Sequence, residues 1–147
     1  MKNNNFETEY SEITEIKSQY EEAIEADDDD LKSLAKARMN SLRGDIEAKG
    51  DDYEYMFSLY EDARDKGNEY LDIDNLNNGR VAAWVELVKV YGIERFTFSS
   101  TWSGAVEQAW ELQKAGCNPI GLVEINKGYR SRFSDYEKGH AWLFEVR

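Results

Sequence analysis

The sequence predicts an α+β fold, with about four helices followed by a small β-α-β-β sheet module. Three observations lead there. Apolar residues recur every three or four positions as far as Tyr91. The period shortens towards two after Gly92. The chain has 147 residues, 41% of them apolar, enough for one compact unit without a disulfide or metal staple.

The first helix is expected over residues 6–25. Phe6, Tyr10, Ile13, Ile16, Tyr20 and Ile24 form a narrow apolar stripe, and Glu7, Glu9, Glu12, Glu15, Glu21, Glu22 and Glu25 fill the remaining faces. The run Asp27-Asp28-Asp29-Asp30 reads as a helix start, because carboxylates cap free N–H groups and suit the positive end of the helix dipole. Leu31, Leu34, Ala35, Met39, Leu42 and Ile46 then resume helical spacing until about Gly50. Asp51 or Asp52 can cap a third helix that buries Tyr53, Met56, Phe57 and Tyr60 and closes at Gly67. Residues 68–78 read as a polar connection containing Tyr70, Leu71 and Ile73. The organisational boundary is placed there, between an acidic helical region (1–76) and an α+β core module (77–147) that together make one compact unit. A fourth helix follows over about 80–91, with Val81, Trp84, Val85 and Val88 inward and Gly92 ending it.

In the last third, Arg95 to Ser99 alternates Phe96 and Phe98 with polar residues, which is a strand pattern. Ser100 or Thr101 can cap a helix over 102–115 that turns Trp102, Ala105, Val106, Ala109 and Trp110 inward and closes at Gly116. Ile120 to Ile125 is nearly continuously apolar and is expected as a central strand. Residues 127–139 are expected as a polar loop or irregular hairpin, and Ala141 to Val146 as the last strand.

Charge is uneven along the chain. Residues 1–76 carry 22 acidic and 9 basic side chains, whereas 77–147 carry 8 and 9; the whole chain is at −12. Such a charge argues against nonspecific binding to nucleic acid or an anionic membrane, and it permits a basic partner. The single cysteine, Cys117, allows no internal disulfide, and the N-terminal residues lack the apolar core of a signal peptide. No stretch reaches the ~18 apolar residues of a membrane span, so the expected location is the cytoplasm.

Catalytic motifs are missing. The sequence contains neither GxxxxGK[ST] nor GxGxxG, and neither HExxH nor CxxC. One His and one Cys exclude the usual structural zinc site within one chain, and no cofactor is expected. Cys117 and His140 are the only pair available for nucleophilic catalysis, but Cys117 follows a helix C-terminus, where the dipole raises a thiol pKa. Ser99-Ser100-Thr101, between a strand and a helix, reads as capping rather than anion binding. Asp72-Ile73-Asp74-Asn75 lacks the EF-hand spacing. No metal site and no enzyme activity are expected.

Three segments carry a resemblance: Glu94-Arg95-Phe96-Thr97-Phe98-Ser99-Ser100-Thr101-Trp102, Gly121-Leu122-Val123-Glu124-Ile125-Asn126, and Asn68-Glu69-Tyr70-Leu71-Asp72-Ile73-Asp74. They resemble an uncharacterised family of small acidic proteins of Firmicutes phages and plasmids. The likeness covers the second half of the chain. It implies no known activity and no catalytic residues, and it implies a mobile-element setting in which inhibitors of host defence are common.

The favoured expectation is therefore an acidic inhibitor, of the anti-CRISPR or antirestriction kind. It would imitate the phosphate row of a nucleic acid and occupy the basic groove of a CRISPR effector nuclease or restriction enzyme. Glu21, Glu22, Glu25, Asp28, Asp51 and Asp52 would supply charge, and Tyr53 and Tyr55 buried contact. Tyr60, Tyr91, Tyr129 and Tyr136 add to a tyrosine content too large for one core. The alternatives are a ligand-binding or enzymatic α+β domain, marked by a pocket with a perturbed Glu124, Glu145 or His140, and a structural module that buries its helices against a second copy.

Overall fold

The computed structural model describes residues 5–76, 80–128 and 137–147. Among the described residues the architecture is α+β, with five helices and a four-stranded mixed sheet. The chain divides into two compact units, Asn4–Ser58 and Leu59–Arg147. The division lies within the third helix, upstream of the 68–78 connection where the sequence had placed it.

In the first unit, α1 (Asn5–Glu25) and α2 (Asp29–Ala48) form a helical hairpin. The aspartate run between them both stops one helix and starts the next. Asp27 adopts the left-handed conformation (φ 52°), and the amides of Asp27 and Asp28 bond back to Ile24 (3.1 Å) and Ala23 (3.0 Å). Asp28 then caps α2 by accepting from the Leu31 amide at 3.1 Å. On α1, Phe6, Ile13 and Ile16 are buried as the spacing requires. Glu9 and Ala23 are buried as well, whereas Ile24 is exposed. On α2, Ala35, Leu42 and Ile46 are buried, and Leu31 and Leu34 face solvent, against expectation.

Helix α3 (Asp51–Lys66) begins after Gly50, whose carbonyl accepts the Glu54 amide at 3.0 Å. Asp51 and Asp52 therefore sit in its first turn, favourably placed against the dipole, and do not act as caps. Tyr53, Met56 and Phe57 are buried, and Tyr60 is half-buried. The helix closes with a Schellman motif: the amides of Gly67 (φ +73°) and Asn68 bond to Arg64 (3.1 Å) and Ala63 (2.8 Å). A left-handed residue is needed here, and glycine takes that conformation without a Cβ penalty.

The second unit continues with β1 (Leu71–Ile73), α4 (Val81–Val90), β2 (Arg95–Phe98), α5 (Ala105–Lys114), β3 (Cys117–Asn126) and β4 (Lys138–Val146). Strand β1 lies inside the segment expected to be a connection; three residues are too short for a periodicity to show. The sheet order is β1-β2-β4-β3, with β1 parallel to β2 and the other pairs antiparallel. Strand β3 is thus an edge strand, not a central one, and its Ile120 and Leu122 are exposed. An apolar run marks burial on both faces only when a neighbour covers each, and β3 lacks that cover.

Register builds the core. Phe96 pairs with Phe144 and Phe98 with Trp142, so these rings share one face. Phe96 and Phe144 stack at 5.4 Å, and Trp84 of α4 meets Phe96 edge-on at 5.3 Å. Trp84, Val85 and Val88 of α4 are buried, as expected. Helix α5 is rotated from the expected phase. It buries Gln108, Ala109 and Leu112, and Trp102, Val106 and Trp110 are exposed. The buried Gln108 accepts the Leu76 amide through Oε1 at 3.4 Å, a polar anchor that an apolar pattern does not register. Helix α5 starts after Gly104 without a side-chain cap, so Ser100 and Thr101 do not cap it. Most of the expected 127–139 loop, with Tyr129 and Tyr136, lies outside the described residues.

Candidate functional site

Of the residues expected to carry partner contact, Glu21, Glu22 and Glu25 are exposed on the second half of α1, and Asp51, Asp52 and Tyr55 are exposed on the first two turns of α3. Asp28 is half-buried and engaged as the α2 cap. Tyr53 does not fit the expected contact role, because it is 6% exposed. Its hydroxyl donates to the buried carboxylate of Glu9, and its ring packs on Phe6 at 4.9 Å. Lys49 completes the arrangement, 3.1 Å from Glu9 and 4.8 Å from the Tyr53 ring centroid. Glu9 was read as a surface acid; it is buried because a tyrosine donor and an ammonium both reach it.

The second unit contains a cavity of about 350 Å³ between the 67–70 segment and strands β3 and β4, lined in part by Tyr70, Val123, Glu124, Lys138 and Leu143. Two asparagines set its edge. Asn68 bonds the main chain of Asn126 in both directions, and the Asn126 side chain donates to the Lys66 carbonyl at 2.6 Å and accepts from Lys138. Glu124 lines this cavity and faces His140 across the β3–β4 ladder. Glu145 is instead paired with Arg95 at 3.1 Å, and the Tyr70 hydroxyl and Glu145 both favour the charged form of that guanidinium.

A second polar group lies on β1 and β2. Asp72 accepts from Thr97 and Ser99, each at 2.7 Å, and Lys127 donates to the Ser99 carbonyl at 2.7 Å. Burial pushes the Asp72 carboxyl above its ordinary value of 3.8, while the hydroxyls of Ser99 and Thr97 and the charge of Lys127 pull the other way. The sequence reading missed this group. No local signal marks it: the group forms only when β1 pairs with β2, which sets the Asp72 carboxylate opposite the Thr97 hydroxyl.

Cys117 and His140 do not come together. Cys117 pairs with Val146 and His140 with Glu124, seven residues apart along β3, or about 23 Å at strand rise. Cys117 is buried, and its thiol pKa is raised by loss of solvent, with Lys89 lowering it. The expected upward shift is present, and desolvation is its main cause. Among the described residues, no group of three or more His, Cys, Asp or Glu is placed to hold a metal ion, and no helix is long and apolar enough to cross a membrane.

No curated protein and no solved structure matches the chain. A family model does, over residues 55–146, which takes in the end of α3, the whole sheet, both cavity walls and the Asp72 group. The chain therefore belongs to the family described as a domain of unknown function, DUF7698.

Proposed function

We propose that this protein is an acidic inhibitor from a mobile element. In this reading it binds and blocks a basic nucleic-acid-binding protein of host defence, such as a CRISPR effector nuclease or a restriction enzyme. The observation that carries the reading is the concentration of charge on one compact unit. Residues 4–58 hold 16 acidic and 6 basic side chains, and Glu21, Glu22, Glu25, Asp51 and Asp52 are exposed on its helices. Carboxylates fixed on helices act at long range on a basic groove, and their attraction is screened by salt. Tyr55, exposed on α3 among those acids, is the aromatic contact in this reading.

The test begins with a pull-down from the natural host, read by mass spectrometry. The nuclease recovered is then titrated with wild type and with the Glu21→Lys/Glu22→Lys/Glu25→Lys variant at two salt concentrations. Asp28 is left intact because it caps α2. The reading expects weaker binding and a flatter salt dependence for the triple variant, and a faster dissociation rate for Tyr55→Ala. Equal affinity and an equal salt slope would end it.

A second reading, a ligand-binding or enzymatic α+β domain, is favoured by the cavity of about 350 Å³ inside the family-matched residues. A metabolite retained by the purified protein, and lost on Val123→Trp, would support it.

A further inference from the structure

We infer that α5 is the contact surface of a symmetric homodimer, packing antiparallel on α5 of a second copy about a two-fold axis at Val106. The surface lies within the second unit and is independent of the inhibitor reading.

Helix α5 carries an exposed apolar stripe: Trp102, Val106 and Trp110, each four residues from the next. Side chains four apart share one helix face. Trp102 stands in the turn entering the helix, where its carbonyl accepts the Ala105 amide at 3.0 Å. Its ring lies over Gly104, and a Cβ at that position would run into it. Glu107, Glu111 and Lys114 turn to the other flank of the helix. The stripe also has a direction. Gln108 reaches the Leu76 amide, just past β1, and Val106 and Trp110 lie about 160–200° round the helix from Gln108. They therefore face away from β1, towards β3. On that side Leu122 and Trp142 pair across β3 and β4 and are exposed too. Both lie on the sheet face that bears the helices: Trp142 stacks beside Phe144, Phe144 on Phe96, and Phe96 meets Trp84 of α4, against which α5 packs.

Three observations make a second copy the occupant. The first is symmetry. The stripe reads the same in both directions about Val106, so a two-fold axis there sets Trp102 of each copy against Trp110 of the other, with the small valines at the closest approach. The second is charge. None of the five side chains is charged, so a basic or acidic partner finds no counter-charge on them; residues 59–147 hold 14 acidic and 11 basic side chains, against 16 and 6 in residues 4–58, and two such near-balanced surfaces do not repel. The third is area. At 44–71% exposure the five side chains leave about 500 Å² of apolar surface, taking roughly 150–250 Å² for a large side chain. A standard interface buries about 800 Å² per partner, of which about 65% is apolar in homodimers, so the patch has the size such a contact needs.

The experiment is sedimentation of the full chain over a range of concentrations. Wild type is expected to sediment as a dimer from micromolar concentration upward, with a dissociation constant that changes little between low and high salt. Val106→Glu/Trp110→Glu sets carboxylates against each other at the axis and is expected to weaken self-association at least about a hundredfold. Both positions are exposed, so unfolding midpoints of the variant and of dissociated wild type are expected to agree. Val106→Cys is expected to form a covalent dimer on oxidation and Glu107→Cys to form none; the native Cys117 is buried. Glu21→Lys/Glu22→Lys/Glu25→Lys is expected to leave the dimer intact, which separates this test from that of nuclease binding. The inference is overturned if wild type stays monomeric, if the Val106→Glu/Trp110→Glu variant still dimerises, or if Val106→Cys fails to cross-link. A monomeric chain that retains a different protein through Trp110 would overturn it in favour of a foreign partner.

Discussion

The side-chain amide of Asn68 and the main chain of Asn126 exchange two hydrogen bonds, with Nδ2 donating to the Asn126 carbonyl at 3.0 Å and Oδ1 accepting its amide at 2.9 Å. Asn126 ends β3, the edge strand, so the amide group does there what a neighbouring strand would do. It also shows which way the edge faces. Asn126 directs its N–H and C=O away from β4, and strand alternation then directs those of Glu124 and Leu122 outward as well. Unpaired edges invite association, and the chain limits this one with the clasp at one end and Pro119 with its adjacent register shift at the other. Asn68→Ala is expected to cost about 1–3 kcal/mol, two neutral hydrogen bonds at a part-buried site. Denaturant unfolding measures it, and Asn68→Asp, which keeps only the acceptor, should fall between the two.

Tyr53 and Glu9 form a buried pair whose removal should be felt in stability. Tyr53→Phe leaves the Glu9 carboxylate with Lys49 alone, at a cost of about 1–3 kcal/mol. The exposed Glu21, Glu22 and Glu25 should each change stability by no more than about 0.5 kcal/mol on substitution by Gln. Thermal unfolding of the four variants checks both statements.

Asp72 should make stability depend on pH in a defined direction. Its carboxyl is raised above 3.8 in the fold, chiefly by burial, so the folded protein holds that proton more tightly than the unfolded chain does. The stabilisation linked to the proton is fully present below pH 3.8 and is lost as pH rises through the higher folded value. Wild type should therefore gain on Asp72→Asn as pH is lowered from neutrality towards 3.8, in paired denaturant titrations. A difference that stays flat, or that moves the other way, would show that the hydroxyls and Lys127 outweigh burial.

The phase of α5 gives a sharp comparison. Leu112 is fully buried, and Leu112→Ala should cost about 2–5 kcal/mol. Trp110, two residues away, is 55% exposed, and Trp110→Ala should shift stability by only about 0.5 kcal/mol. A helix phase with Trp110 inward expects a large cost at Trp110 instead, so unfolding midpoints for the pair decide it.

The sequence by itself determined the α+β class, the helix start at the Asp27–Asp30 run, the ends of α2, α3 and α4, and the strand at Phe96 and Phe98. These features are local. Hydrophobic period, an aspartate cap and a glycine past a helix end act within a few residues, and they hold whatever the rest of the chain does. It also determined the concentration of negative charge in the first half, since charge follows composition. Only the tertiary structure decided which apolar residues are buried. Ile24, Leu34, Val106, Trp110 and Leu122 fit a stripe or a run and yet face solvent, while Glu9, Gln108 and Thr97 are buried. The reason is that burial of a polar group depends on a distant partner: Tyr53 lies 44 residues from Glu9, and Gln108 lies 32 from Leu76. The same holds for strand order. The sheet made β3 an edge by pairing β2 with β4, and it made Asp72 a buried carboxylate by laying β1 beside β2, a pairing between residues 25 positions apart that no local pattern specifies.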